Sequence, residues 1–263
     1  MTNMRLVLLT AIACIVAIAQ PQARQPFRIE VSDPRPLAGA AEALEQRFGW
    51  VVTYEDPEWV AGSDIQDITE TVRTDLAGVP SFMRSAVPRV YVPKAGTIHF
   101  EIPPSAGGGS GVDRINLLND LLVAHSSAGN PGMFRVAEGA SGRIHIVPLA
   151  AKDGSERVVP QRPVLDRGIT LESRQYRGLE FLSAFAEAVT STGGVQVEIG
   201  TTPLNTFIHH SGAYGASNEP ARNVLARFLD SVGPGYSWQL LFDPVDRMYV
   251  LNIHWVPSKG GEE

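Results

Sequence analysis

The chain has 263 residues, of which 44% are hydrophobic and 19% charged, with a formal charge of −6. It is too apolar to be disordered and long enough for one large or two small cores. A mildly acidic chain without a basic cluster argues against nucleic acid and against anionic membrane surfaces, both of which are held by Lys and Arg.

Residues 1–19 read as a secretory signal: Arg5 supplies the positive start, Leu6 to Ile18 are almost wholly apolar, and Ala17-Ile18-Ala19 is a small-x-small cleavage site. The alternative, a membrane anchor, needs about 20 apolar residues, whereas this run has about 13. The mature chain is expected to begin at Gln20 and to be exported, and losing Arg5 takes the charge to −7. Cys14, the sole cysteine, lies inside the leader, which leaves the mature chain without disulfides or thiolate metal sites. Lipidation of Cys14 is disfavoured, because Ala11 stands where the lipoprotein signal prefers Leu and the apolar run continues through Ile15, Val16 and Ile18. A cysteine-free exported chain fits the bacterial periplasm.

Phe27-Arg28-Ile29-Glu30-Val31 alternates apolar and polar side chains and predicts a strand. Leu37, Ala40, Ala41, Leu44 and Phe48 recur at helical spacing up to Gly49, and Trp50 to Tyr54 predicts a second strand. From Glu55 to Thr97 the pattern loosens around Asp64, Asp67, Glu70 and Asp75 and four prolines, and this stretch reads as an insertion, with Ile65, Ile68, Val72 and Leu76 along a short helix. Ile98 to Ile102 is a strand, and Pro103 to Gly111 a Gly/Ser/Pro loop. Asp113 then caps a helix with Ile115, Leu118, Leu121 and Leu122 inward, and Met133–Ala137 and Arg143–Val147 form a hairpin.

Residues 151–167 carry charges and prolines without apolar periodicity and read as a linker. The order then restarts over 168–257. Ile169-Thr170-Leu171 is a strand, and Leu179 to Val189 a helix with Leu182, Phe185, Ala186 and Val189 inward. Val195 to Ile199 is a strand, Phe207-Ile208-His209 a strand matching Ile98-His99, and Val224 to Val232 a helix capped by Ser217 or Asn218. A hairpin from Tyr236 to Trp255 turns at Asp243-Pro244-Val245-Asp246, and residues 258–263 form a disordered tail. Ile144-His145-Ile146-Val147-Pro148 and Ile253-His254-Trp255-Val256-Pro257 close the two blocks at an offset of 109, against 110 between Ile98 and Ile208. The reading is an α+β protein: two diverged copies of a strand-helix-strand-strand-helix-hairpin unit, at 27–150 with the insertion 55–97 and at 168–257.

This unit resembles the short N-terminal (STN) domain shared by secretins and TonB-dependent receptors. The resemblance is carried by Pro36-Leu37, Ala43-Leu44, Phe48-Gly49 before Val51-Val52-Thr53-Tyr54, and Asp56-Pro57. In the second block it is carried by Asn223-Val224-Leu225 with Phe228-Leu229 and by the hairpin segments Trp238–Leu241 and Tyr249–Ile253. It implies a periplasmic module that offers a sheet edge or helix face to a protein partner. The resemblance covers the module alone and not an outer-membrane barrel or secretin ring domain, so the module role is what is expected from it, and secretion and signalling roles are not carried over.

Candidate chemistry is sparse. His99, His145, His209, His210 and His254, with Trp59 and Trp255, are the candidate site residues; the histidines read as strand positions without metal-ligand spacing, and neither tryptophan position obviously needs so large a side chain. Gly107-Gly108-Gly109-Ser110-Gly111 lacks the Lys-Ser/Thr of a phosphate loop, and Ser110 and Ser141 fail Gly-x-Ser-x-Gly. The expectation is a protein-interaction module of the cell envelope, with no cofactor and no metal, and with binding favoured over catalysis. The alternative is a hydrolase or small-ligand binder using a cleft between the two units.

Overall fold

A computed structural model describes residues 26–76, 78–94, 96–103 and 114–258. Residues 1–19, expected as a secretory leader, with Cys14 among them, the glycine loop, Asp113 and the end of the tail lie outside the described residues. Among the described residues seven α-helices and thirteen strands make a mixed α+β fold.

The first half begins with β1 (Phe27–Ser32), and Pro36 opens α1 (Pro36–Phe48) at a position whose backbone N–H would be unpaired anyway. Gly49, at φ 67°, closes that helix in the left-handed conformation. β2 (Val52–Glu55) follows. The loosely patterned stretch forms β3 (Ile65–Asp67), α2 (Thr69–Asp75), α3 (Ser81–Ser85) and β4 (Tyr91–Pro93), with β3 and β4 paired antiparallel as a small ribbon of their own. Ile65 and Ile68 lie before α2, so the helix is shorter than the apolar spacing predicts. β5 (Thr97–Ile102), α4 (Arg114–Ser127), β6 (Met133–Glu138) and β7 (Ile144–Lys152) complete the half.

The segment expected as a linker is built into the fold. It contributes β8 (Val158–Pro160), which pairs with the end of β7, and a 3-10 turn whose Val164 and Leu165 are buried in the second core. The second half runs β9 (Gly168–Arg177), α5 (Gly178–Gly193), β10 (Val197–Ile199), α6 (Leu204–His209), β11 (Ser211–Pro220), α7 (Ala221–Val232), β12 (Tyr236–Asp243) and β13 (Met248–Trp255).

The two halves pair their strands in the same order. β1 pairs antiparallel with β5 as β9 does with β11; β2 pairs parallel with β7 as β10 does with β13; β6–β7 and β12–β13 are antiparallel hairpins. A short parallel contact, Gln239 beside Tyr54 and Leu240 beside Glu55, joins the halves into one sheet in the order β10-β13-β12-β2-β7-β6, with β8 beside β7. One core gathers α1 and α4 over Val52, Tyr54, Ile144 and Ile146; the other gathers α5 and α7 over Trp238, Leu240, Tyr249 and Leu251.

Three expectations are corrected. Phe207-Ile208-His209 is helical, since Phe207 buries as the anchor of the short α6 while Ile208 faces out, so His209 has no counterpart in His99 of β5. Ser217 and Asn218 belong to β11, and α7 starts after Pro220 without a side-chain cap. The two Ile-His phrases are not equivalent: Ile144 opens β7 and sits opposite Val52, whereas the residue opposite Val197 is Tyr249, and Ile253 lies at the far end of β13.

Candidate functional site

The candidate histidines disperse. His99 is exposed on β5, 4.0 Å from Glu30. His145 is buried against Trp238 and bonded to Thr53 Oγ1 at 2.7 Å, and burial, with Arg222 and Arg143 nearby, lowers its pKa to about 3. The sixth histidine, His125, is buried beside Phe134, and burial lowers it to about 4. Both are neutral core groups at ordinary pH. His254 meets Glu45 at 2.6 Å; burial opposes its charge, but the bond to Glu45 and the charges of Glu45 and Glu42 prevail and raise its pKa.

His209 and His210 share a shallow depression of about 390 Å³ lined with Asn205, Thr206 and Val232. There Tyr214 Oη bridges His210 Nε2, at 2.5 Å, and Ser231 Oγ, which lies 3.3 Å from the same nitrogen. The trio has a hydroxyl beside an imidazole, but among the described residues no carboxylate bonds to His210 to orient it, so the relay of a hydrolytic triad is not assembled. Among the described residues no three His, Cys, Asp or Glu side chains converge as a metal site.

Trp59 is a core residue. Its segment crosses from the insertion into the second core, and its ring lies against Gly132, where an added Cβ would come within 2.8 Å of it. Trp255 stays half exposed at the end of β13.

The expected cleft between the halves is filled by a buried ionic seam. Glu55 and Asp56 are both fully buried. The Glu55 carboxylate accepts from Arg222 Nη2 at 2.5 Å and from the backbone of Val164, and Arg222 Nε reaches Asp166 at 2.8 Å. Burial raises the Glu55 pKa, with Arg222 pulling the other way; Arg222 is raised, the neighbouring carboxylates outweighing its own desolvation. Asp56 accepts from Arg35 at 2.6 Å, Tyr54 at 2.7 Å and the Phe242 backbone at 2.9 Å, so both its oxygens are held. At the periphery Arg143 meets Asp230 at 2.5 Å, and Gln239 donates to Glu42 at 2.8 Å.

No family model, curated protein or solved structure matches the chain. No helix among the described residues is long and apolar enough to cross a membrane.

What the seam does not use is open at the surface. A cleft of about 600 Å³ lies between the insertion (Ser63, Asp64, Lys94) and the first half (Asn130, Met133, Lys152), but Lys152 is spent on Asp64 at 3.1 Å and on Ser63 at 2.8 Å. Also open are the terminal strands of the large sheet, β6 and β10. Gly139 N–H donates to Arg143 O, and counting by twos from it turns the backbone groups of Phe134, Val136 and Glu138 away from β7 towards the free side. On β10, the bonds of Gln196 and Gly200 to β13 leave Val197 and Ile199 turned outward, the Val197 N–H being taken by Thr190 Oγ1 at 2.9 Å.

None of Arg35, Glu55, Asp56, Asp166 and Arg222 reads as a site residue from the sequence, although together they form the buried ionic seam. Their only signal is Glu55 at the end of a strand that is otherwise apolar or β-branched.

Proposed function

We propose that the chain is an exported, periplasmic protein-interaction module, two diverged copies of one STN-like unit, that acts by adding a partner's strand to an open sheet edge. The observation that carries this reading is the pair of unpartnered terminal strands, β6 and β10, on a sheet whose middle is locked by the buried seam. A rigid sheet with unpaired backbone donors and acceptors at its rim is the physical requirement for strand addition, in which the main chain supplies affinity and alternate side chains supply selectivity. The repeated pairing order supports the two-copy reading, and the secretory leader and cysteine-free remainder support export.

The test is affinity capture from the envelope fraction of the host, using the native chain and variants with one edge blocked by proline, Val136→Pro or Ile199→Pro. The reading expects a specific partner that at least one of the two variants loses. Recovery of no specific partner, or of one indifferent to both substitutions, refutes it.

A further inference from the structure

The join between the halves is itself a strand pairing, and its geometry extends outward. Along the large sheet β10 and β13 run one way, β12, β2 and β7 run the other, and β6 returns to the direction of β10. Each half supplies a parallel pair followed by an antiparallel hairpin partner, so β6 holds the place of β12, and β10 the place of β2. The halves also point their helices to opposite faces. Tyr54, on the side of α1 and α4, lies beside Gln239, whereas Leu240, on the side of α5 and α7, lies beside Glu55. The step from one half to the other is therefore a half turn about an axis across the strands plus a shift along the sheet. Such a join is heterologous and does not close on itself.

We infer that β6 of one molecule pairs in parallel with β10 of a second copy of this chain, repeating the β12–β2 junction and extending the sheet head to tail. The inference rests on the interaction reading and names the partner. Directions agree: because β6 and β10 run the same way, a copy shifted along the sheet without rotation meets β6 in parallel, as β2 meets β12. Backbone groups agree at Ile199: Leu240 O accepts from Asp56 N–H at 2.8 Å, and in the matching register Val136 faces the outward groups of Ile199, while Thr201 N–H, in the place of Asp56, is held by Asn252 Oδ1 at 2.9 Å and must exchange that bond for the junction. Burial agrees as well. Thr53, His145 and Val147 are buried because the second half covers their face of the sheet, while their counterparts by register, Glu198, Val250 and Asn252, are exposed or half exposed where the next copy would lie.

The experiment is sedimentation velocity on the purified protein through the micromolar range. The native chain is expected to show a mass that climbs with concentration without a fixed end point, since an open join has no closed stoichiometry. Val136→Pro and Ile199→Pro each remove an edge N–H, at positions that do not bond the neighbouring strand, and each alone should be monomeric. Mixed in equal amounts they should form dimers and nothing larger, because each retains the edge the other lacks. A second measurement does not depend on tolerance of proline. With Cys14 replaced by Ser, Arg135→Cys and Ile199→Cys chains, whose positions match Gln239 and Tyr54, should cross-link to a mixed disulfide dimer on oxidation, and a chain carrying both should give a ladder. A native chain that stays monomeric throughout, with no mixed disulfide, overturns self-association. The capture of a different, edge-dependent partner would then leave the broader interaction reading standing, and its absence would remove both.

Discussion

The two halves pair their strands identically and fill the space beneath them differently. The second core is aromatic: Phe181 stacks on Phe228 with ring centroids 4.1 Å apart, and Phe185, Phe207, Tyr214 and Tyr236 surround them. The first is mainly aliphatic, with Leu37, Leu44, Leu118 and Leu121 closing over Ile144 and Ile146. The first half also carries the insertion, whose helices α2 and α3 bury only Thr69 between them. The contrast teaches that strand order depends on where apolar faces fall along the chain, whereas the choice of side chain sets how much each half can lose before it opens.

That contrast can be broken at several strengths. Phe228→Ala should cost about 3–5 kcal/mol, because the emptied volume is walled by rigid rings that cannot collapse into it, and Leu118→Ala in the first core about 2–5 kcal/mol. Chemical unfolding followed by far-ultraviolet dichroism measures both. Equal losses in the two halves would deny the aromatic core any special weight.

Arg222→Ala should cost about 3–5 kcal/mol by leaving Glu55 buried without its partner. If the seam is what makes the halves one cooperative unit, the same variant should also split a single unfolding transition into two. Restoring the balance with Glu55→Leu and Arg222→Met together should recover most of the stability. An Arg222→Ala protein that still unfolds in one step at the native midpoint would reduce the seam to decoration.

Acid should act through the buried imidazoles. His125 and His145 have folded-state pKa values of about 4 and about 3. The unfolded chain therefore takes up protons first, and stability falls as pH drops from about 6.5 towards those values, by on the order of 3–5 kcal/mol for each group at full development. His254 has the opposite sign: its raised pKa contributes stability below its unfolded value, and that contribution disappears as pH rises through the folded one. Because His254 is partly exposed, His254→Gln should remove less than about 1 kcal/mol at pH 5 and still less at pH 8. Urea midpoints against pH for the native protein and His254→Gln check both signs.

The smallest effect belongs to the insertion. Phe82→Ser and Met83→Ser alter exposed side chains on α3 and should move stability by no more than about 0.5 kcal/mol. A large loss would mean that α3 is packed against something the contrast between the halves leaves out.

Much of the architecture was legible beforehand. The apolar stripes of α1, α5 and α7 and the alternation of β1 and β5 stand out because one face of each element is buried and its period is local. The stretch from Glu55 to Thr97 showed itself by its prolines and acidic residues and by a period too short to run through it. Less was legible at the boundaries: Phe207-Ile208-His209 has strand-like composition, and only its packing under α5 made it a helical turn. The paired Ile-His phrases were a false guide, since matching letters do not fix register, while the repeated pairing order they were meant to mark is present without them.

The chain by itself determined that the cores of α1, α5, α7, β1 and β5 are helix or strand, because backbone preference and apolar period are properties of neighbouring residues. Tertiary structure alone decided that Glu55 pairs with Arg222 and Asp56 with Arg35 in a buried seam, that His145 is neutral core and that β6 and β10 each have a neighbouring strand on one side only in the large sheet. Those outcomes depend on which residues, far apart in the chain, exclude water from one another. No local pattern records that.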